Sequence, residues 1–124
     1  MAEFKYTKDH ECIFVDGDIA WIGISKHAQD ALGDLVFVEL PDIGKVLKKG
    51  QSTAVVESVK TAAEVYTPVD GTITEVNKAM PDDLELIKSP VNERGWIVKL
   101  KMSDKAAIAA LMDDTAYKDY LKGL

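Results

Sequence analysis

Lys60 is the residue of this chain whose type and setting point most directly to chemistry. It lies between two short runs of high β propensity, residues 53–58 and 62–67, so the chain must reverse direction between them. A lysine at or beside such a hairpin tip presents its amine to water while two strands hold its base, which suits covalent modification. Lysines are also common at exposed turns without any function, so the geometry alone leaves both interpretations open.

The remaining nucleophilic and metal-binding residue types form no recognisable catalytic pattern. His10 and His27 are far apart in the sequence and stand in no metal-ligand spacing, and Cys12 is the only cysteine. Cys12 lies in an apolar run typical of a packed side chain, and His27 is expected to be a surface or half-buried residue. The sequence has no glycine-rich phosphate loop and no Gly-x-Ser-x-Gly elbow. We therefore predict no catalytic residue and no metal site, as in a protein that is not an enzyme.

The composition describes an acidic chain of modest size. Its 124 residues have a formal net charge of −6, which disfavours binding to nucleic-acid phosphates or to anionic membranes. No apolar stretch reaches the ~20 residues that span a bilayer, and the N terminus shows no pattern of a secretion or mitochondrial import signal. A single cysteine cannot form an intramolecular disulfide. We expect a cytoplasmic monomer in which residues 1–124 form one domain and the acidic surface docks on other proteins.

The first part of the chain predicts a hairpin, a short helix and an apolar strand. Residues 12–15 and 19–22 are strand-like runs on either side of Asp16-Gly17, a dipeptide that favours chain reversal. Ser25 can cap a helix near residues 26–32, and Gly33 can end it. The apolar run at residues 35–38 predicts a strand.

The second part adds short strands and then helices. Strands are predicted within residues 43–50, at 72–76 and at 97–101, and short strands at frequent turns are typical of a barrel or sandwich. Ser103 is a candidate N-cap for a helix carrying Ile108 and Leu111, and Asp113 or Asp114 can begin another. We interpret these C-terminal helices as a cover over a sheet edge; a partner-binding face is the alternative.

An ordered series of segments resembles one known family. The segments Glu57-Ser58-Val59-Lys60 and Pro68-Val69-Asp70-Gly71 resemble the lipoyl-lysine segment of the glycine cleavage system H proteins. Further similar segments follow the family order along nearly the whole chain: Tyr6-Thr7-Lys8-Asp9-His10-Glu11, Gly23-Ile24-Ser25-Lys26-His27-Ala28-Gln29, Leu32-Gly33-Asp34, Val36-Phe37-Val38-Glu39-Leu40-Pro41, Glu75-Val76-Asn77, Glu85-Leu86-Ile87, Gly95-Trp96 and Ala116-Tyr117.

This resemblance implies a fold and a carrier function. The fold would be the mainly β, flattened barrel-sandwich hybrid of lipoyl and biotinyl carriers, and lipoate would be attached to Lys60 through an amide. The partners would be a pyridoxal-phosphate glycine decarboxylase, a tetrahydrofolate-dependent aminomethyltransferase, a flavin dihydrolipoamide dehydrogenase and a lipoylating enzyme. The carrier would take an aminomethyl group from the first to the second and electrons to the third, so the chemistry would reside in cofactor and partners.

The resemblance also assigns roles to residues around Lys60. Glu57 and Val59 flank the lysine where a lipoylating enzyme must recognise the hairpin. By residue matching, Glu11, Glu64 and Asp9 would line the cleft that shelters the cationic, aminomethyl-loaded arm. For each of these acids taken alone, a solvated surface role is the competing interpretation.

Several positions depart from the usual pattern of the family. Cys12 stands where tryptophan commonly follows His-Glu, while Thr61 and Glu64 replace alanine and aspartate. Other departures are Ala31 at a position that is often histidine, Lys88 where asparagine is common, and Asn92 where an aromatic residue is common. None of these substitutions changes Lys60.

Three other functions compete with a glycine cleavage carrier. An H-like lipoate relay that donates lipoyl groups to other complexes needs the same lysine and fold. A biotin carrier would have Met-Lys-Met at the tip, whereas this chain has Val59-Lys60-Thr61. An unmodified β-barrel interaction module would make Lys60 dispensable.

Overall fold

The computed structural model describes residues 3–124 as two antiparallel β-sheets with two α-helices and three short 3₁₀ helices. None of the helices in this range is both long and apolar enough to cross a membrane. The strands are β1 Glu3–Tyr6, β2 Glu11–Asp16, β3 Ile19–Ile24, β4 Leu35–Glu39, β5 Val46–Leu47, β6 Ser52–Ser58, β7 Ala62–Tyr66, β8 Gly71–Val76 and β9 Val98–Met102. The α-helices are α1 Lys26–Leu32 and α2 Asp114–Lys122, and the 3₁₀ helices are Met80–Asp82, Leu84–Lys88 and Ala106–Ala110.

The strands divide unequally between the two sheets. One sheet has six strands in the order β1-β2-β3-β9-β8-β5, and the other has three in the order β4-β6-β7. A common apolar core joins them: Ile13, Ile22 and Leu100 come from the larger sheet, and Val56 and Val65 from the smaller one, each at most 1% exposed. Burial of each such side chain contributes about 1.5–3 kcal/mol. This arrangement confirms the predicted mainly β, sandwich-like fold.

The predicted first hairpin and first helix are present. Asp16 pairs with Ile19, which leaves Gly17 and Asp18 as the two loop residues, and Gly17 supplies the positive φ of 59° that this turn requires. The turn thus lies one residue later than the predicted Asp16-Gly17. The Ser25 hydroxyl caps α1 by accepting a hydrogen bond from the Ala28 N–H at 3.2 Å.

The predicted role of Ser103 as an N-cap is wrong. Its N–H donates to the Asp70 carbonyl at 3.0 Å, and the Asp104 carboxylate instead accepts the Ala106 N–H at 2.9 Å. The segment that follows is the short 3₁₀ helix Ala106–Ala110, and Asp104 rather than Ser103 supplies the side-chain acceptor at its start.

The second C-terminal helix, α2, agrees with prediction and covers the edge strand β1. Asp113 caps it through the Ala116 N–H at 2.8 Å. The ring of Tyr117 stacks on that of Tyr6 in β1, with centroids 4.4 Å apart, and the Tyr6 backbone pairs with Met112. At Tyr6 the edge of β1 is therefore covered, which hinders pairing with another chain there.

Replacement of Gly95 by alanine is expected to destabilise the fold by about 1–3 kcal/mol. A Cβ at Gly95 would overlap the backbone carbonyl oxygen of Ser89, and Asn77 fixes this loop by donating to the carbonyls of Arg94 and Trp96 at 3.0 and 2.8 Å. Urea unfolding measures the loss. Gly123→Ala is the control, since its Cβ would make an ordinary contact at 3.6 Å; equal stability of the two variants would contradict the prediction.

Candidate functional site

Lys60 lies at the tip of the β6–β7 hairpin, as the sequence predicted. Ser58 shapes this tip: its N–H donates to the Thr61 carbonyl at 2.8 Å, and its hydroxyl oxygen accepts the N–H groups of Lys60 and Thr61, both at 3.2 Å. The Val59 N–H donates to the Asp34 carbonyl at 3.3 Å and joins the tip to the start of β4. The backbone beneath Lys60 is therefore held from both sides.

The Lys60 side chain itself is exposed. Among the side chains that the structure describes, no carboxylate forms an ion pair with it. Its neighbour Val59 is 71% exposed, and Glu57 is half-buried at the end of β6. The tip thus offers a primary amine to solvent on a rigid base, with an apolar and an acidic residue beside it.

The hairpin has an outer face that is distinct from its core face. Because side chains alternate along a strand, burial of Val56 and Val65 turns Val55, Glu57, Glu64 and Tyr66 outward. Glu64 follows Lys60 by four residues, which limits the separation of their Cα atoms to about 13 Å, the length of an extended chain. This outer face of β7 therefore leads from the tip to Glu64 and then Tyr66.

Glu11 is a buried carboxylate at the far end of that face. It is 3% exposed, and its two oxygens accept hydrogen bonds from the Thr7 hydroxyl at 2.5 Å and from the Tyr66 N–H at 3.3 Å. Burial raises the pKa of Glu11 above its ordinary value, with these two hydrogen bonds opposing the shift and the nearby Asp9 adding to it. A buried carboxylate without a cation is costly, so this position favours the arrival of a positive charge.

Tyr66 lies beside Asp9, Glu11 and Glu64, the three acids to which the family resemblance assigns the cleft. Its N–H binds Glu11, its phenol donates to the Glu64 carboxylate at 3.1 Å, and it lines a groove of about 390 Å³ together with Asp9 and Glu11. Hydrogen bonding to Glu64 raises the pKa of the Tyr66 phenol. The structure thus brings Asp9, Glu11 and Glu64 around one tyrosine, while Glu57 lies at the other end of the face, next to the tip.

Sequence reasoning missed Tyr66 and Thr7. The available signals were local. Tyr66 is two residues after Glu64 on the same strand, so both side chains point to the same face. Thr7 precedes Glu11 by four residues in a turn, where the Thr7 N–H also donates to the Glu11 carbonyl at 3.2 Å. Neither signal identifies the partner across the fold, because Glu11 and Tyr66 are 55 residues apart.

The two histidines are also closer than the sequence suggested. The rings of His10 and His27 lie 4.4 Å apart, and His10 Nδ1 lies 2.7 Å from the Tyr117 hydroxyl, which in turn lies 2.7 Å from the Ser25 hydroxyl. Burial and the neighbouring His27 lower the pKa of His10. His10 also has a positive φ of 69°, in the turn just before Glu11. This network fixes the entry to β2 and hence the position of Glu11.

No cluster that could bind a metal ion occurs in the described part of the chain. Groups of three or more His, Cys, Asp or Glu with suitable geometry are missing from residues 3–124. Cys12 is buried, and burial raises the pKa of its thiol to about 12. A thiol in that state is a poor nucleophile, in agreement with the predicted packing role.

The comparisons with known proteins agree with one another. A family model described as "Glycine cleavage H-protein" matches residues 4–123. Two relatives described as "Glycine cleavage system H protein" come from Xanthobacter autotrophicus, at 50% identity over 124 residues, and from Paramagnetospirillum magneticum, at 51% over 124 residues; each alignment covers 100% of this chain and 99% of the relative. A crystal structure of a glycine cleavage system H protein from Mycobacterium marinum superposes with a TM-score of 0.84 at 36% identity, covering 98% of both chains.

Glu11 is expected to make the stability of the protein fall as the pH rises. Its pKa is raised on folding, so above the ordinary glutamate pKa the folded state retains a proton that the unfolded state has released. The free energy of unfolding therefore falls as the pH rises, until the pH has passed the raised pKa of Glu11. Urea unfolding of Glu11→Gln and wild type across pH 4 to 8 measures this: the variant should gain stability relative to wild type as the pH rises. A difference that stays constant, or that favours wild type at high pH, would contradict the prediction.

Proposed function

We propose, because this chain belongs to the glycine cleavage H-protein family, that it is the lipoyl carrier of a glycine cleavage system. In this proposal the lipoyl group is attached by an amide to Lys60. The observation that carries this proposal is the placement of Lys60, exposed and without an ion-pair partner in the described structure, on the hairpin tip that Ser58 holds in place. Family membership supports the carrier role, and the tip supports the choice of lysine.

The residues at the tip fit such a group. An acylated lysine loses its charge, and the tip contains no buried carboxylate that depends on this charge for neutralisation. When attached, a lipoyl group supplies a dithiolane that can accept a one-carbon amine unit and carry electrons. The protein provides the rigid base from which this group reaches its partners.

The acids at the far end of the hairpin face would receive the positive charge of the loaded arm. Glu11 is buried, already hydrogen-bonded by Thr7 and Tyr66, and oriented toward the groove that it shares with Asp9. Glu64 lies on β7 between the Lys60 tip and Tyr66, and its carboxylate accepts the hydrogen bond of the Tyr66 phenol. A cation placed there would gain charge pairing in a poorly hydrated site, and the apolar groove residues Leu111 and Met112 would restrict water.

The proposed partners follow from the family. They are the pyridoxal-phosphate glycine decarboxylase, the tetrahydrofolate-dependent aminomethyltransferase, the dihydrolipoamide dehydrogenase and a lipoylating enzyme that recognises Glu57 and Val59 beside Lys60. We also propose that residues 1–124 form one carrier domain without catalytic activity of its own, and that the protein is a monomer. The cytoplasmic location stays a prediction.

Replacement of Lys60 by arginine should leave folding unchanged and abolish the carrier function. Arginine keeps the charge and the exposed position but offers no amine that forms the amide. Intact mass after expression with active lipoylation should show the lipoyl increment on wild type and on the control Lys45→Arg, and none on Lys60→Arg. Glycine-dependent decarboxylation with the partner enzymes should follow the same pattern. Activity retained by Lys60→Arg, or a wild-type protein that acquires no lipoyl group, would overturn the proposal, and the latter would favour an unmodified interaction module.

Glu11→Gln should shorten the lifetime of the aminomethyl-loaded protein by about tenfold, because one charge pair in a poorly hydrated site is worth on the order of 1–2 kcal/mol. The measurement is the release of formaldehyde and ammonia from the loaded, purified protein over time. Glu93→Gln, at an exposed position outside the groove, is the control. If the two variants release the group at the same rate, Glu11 does not protect it.

A further inference from the structure

Large apolar side chains remain exposed beside Lys60. Val36 and Phe37 in β4 are 54% and 47% exposed, and Val59 at the tip is 71% exposed. The three lie close together, because the Val59 N–H binds the Asp34 carbonyl at the start of β4 and Leu35 pairs with Ser58. Exposed apolar clusters of this kind mark interaction sites in soluble proteins.

A β-bulge produces this exposure. Along β4, Leu35 pairs with Ser58 and Phe37 with Glu57, so Val36 is an additional residue in the ladder. A regular strand would have turned Val36 toward the core side, since the neighbouring residue Phe37 points outward. The bulge instead leaves two consecutive apolar side chains at the surface, a device by which strands redirect side chains near functional sites.

Apart from Lys60 at the tip, the charged side chains of the three-stranded sheet have one sign. Strands β4, β6 and β7 contain no lysine, arginine or histidine, but they contain Glu39, Glu57 and Glu64. Glu57 is the cross-strand partner of Phe37, and Glu39 pairs with Val55 on the same outer face. A partner surface that fits this face is therefore apolar at its centre and carries arginine or lysine around it.

We propose that Val36, Phe37 and Val59, with Glu39 and Glu57, form the docking surface for the lipoylating enzyme, and that this enzyme presents an apolar patch bordered by basic side chains. The inference rests on the proposed function and extends recognition from the hairpin tip to the neighbouring strand β4. We name these five residues the bulge surface.

The lipoylating enzyme is the partner that must contact this surface. Attachment requires Lys60 Nζ, as the free amine, to attack the carbonyl carbon of an activated lipoyl group supplied by the enzyme. The C–N bond forms, the bond to the activating group breaks, the amine proton passes to solvent, and no redox change occurs. Only the lysine stem separates the reacting atom from the hairpin, so the enzyme must approach the tip closely. Enzymes that act on the far end of a lipoyl arm can remain farther away.

The test uses unlipoylated protein with the purified lipoylating enzyme, lipoate and ATP, and follows the mass increment on Lys60 over time. The double variant Val36→Ser/Phe37→Ser should raise KM about tenfold and leave kcat near the wild-type value, because truncation of central apolar contacts weakens docking. Ile43→Ser/Val46→Ser is the matched control, since these residues are 53% and 68% exposed but lie outside the three-stranded sheet. Phe37→Leu, which preserves the apolar contact, should keep the wild-type KM.

A charge reversal tests the acidic border independently. Glu39→Lys should raise KM and weaken its dependence on salt, whereas Asp16→Lys, at the exposed end of β2, should change neither. Because the replaced side chains are exposed, all variants should melt near the wild-type temperature. Should the double variant fail to fold, Phe37→Ser and Glu39→Lys singly provide the same test.

The outcomes separate this inference from the carrier function. If wild type is lipoylated and the bulge variants show the same KM as their controls, the docking surface is wrong while the carrier function stands. If wild type gains no lipoyl group from an enzyme that modifies a known carrier, the carrier function itself fails. A bulge variant that changes only self-association, measured by light scattering, would show that the bulge surface binds a second copy of the chain and would overturn the proposal.

Discussion

The register of the β6–β7 hairpin is the constraint on which the rest of the site depends. Val56 and Val65 must point into the core shared by the two sheets, and each is at most 1% exposed. A slip of one residue would turn both outward at a cost of about 1.5–3 kcal/mol for each side chain. The same register fixes the reversal between Ser58 and Ala62 that contains Lys60, and it places Glu57, Glu64 and Tyr66 on the outer face. Core packing therefore determines where the amine and its nearby carboxylates lie.

The two ends of this hairpin face have opposite physical characters. At the tip, the Lys60 side chain is exposed to solvent. At the other end, Glu11 is buried, and burial raises its pKa against the effect of two hydrogen bonds. Burial disfavours the ionised form of this carboxylate, which supports the proposal that a positively charged group pairs with it. In the proposed carrier function, this contrast separates the exposed attachment point from a buried carboxylate that would pair with a cationic group.

The bulge in β4 exposes apolar side chains on an edge strand, which favours partner binding but also carries a risk of aggregation. An edge strand with exposed apolar residues risks pairing with other chains, and β1 is protected at Tyr6 by the ring of Tyr117 and the backbone of Met112. No such cover lies over Val36 and Phe37 within residues 3–124, and both remain about half exposed. The bulge interrupts the regular ladder and bends the strand, which discourages simple edge-to-edge pairing while still presenting apolar surface. Negative charge on the adjoining positions adds selectivity for a basic partner.

Local patterns in the sequence determined the elements near Lys60. Two β-prone runs around a short polar reversal predict the hairpin, Ser25 and Gly33 predict α1, and the ordered segments identify the family. Each depends on residues a few positions apart, where propensity, capping and turn chemistry act directly. Ser103 shows the limit of such signals, since Asp104 rather than Ser103 supplies the side-chain acceptor and a short 3₁₀ helix replaces the expected longer helix.

Only the tertiary structure decided which distant residues meet. Tyr66 joins Glu11 to Glu64, the His10 ring contacts that of His27 and the hydroxyl of Tyr117, and Val59 lies next to the bulge in β4. These contacts follow from how two sheets pack and from a single inserted residue in one strand. The sequence by itself determined that a lysine stands at a hairpin tip in a carrier of this family. The surroundings of that lysine were decided by packing, because the free energy of each long-range contact depends on groups that are neighbours only in the folded chain.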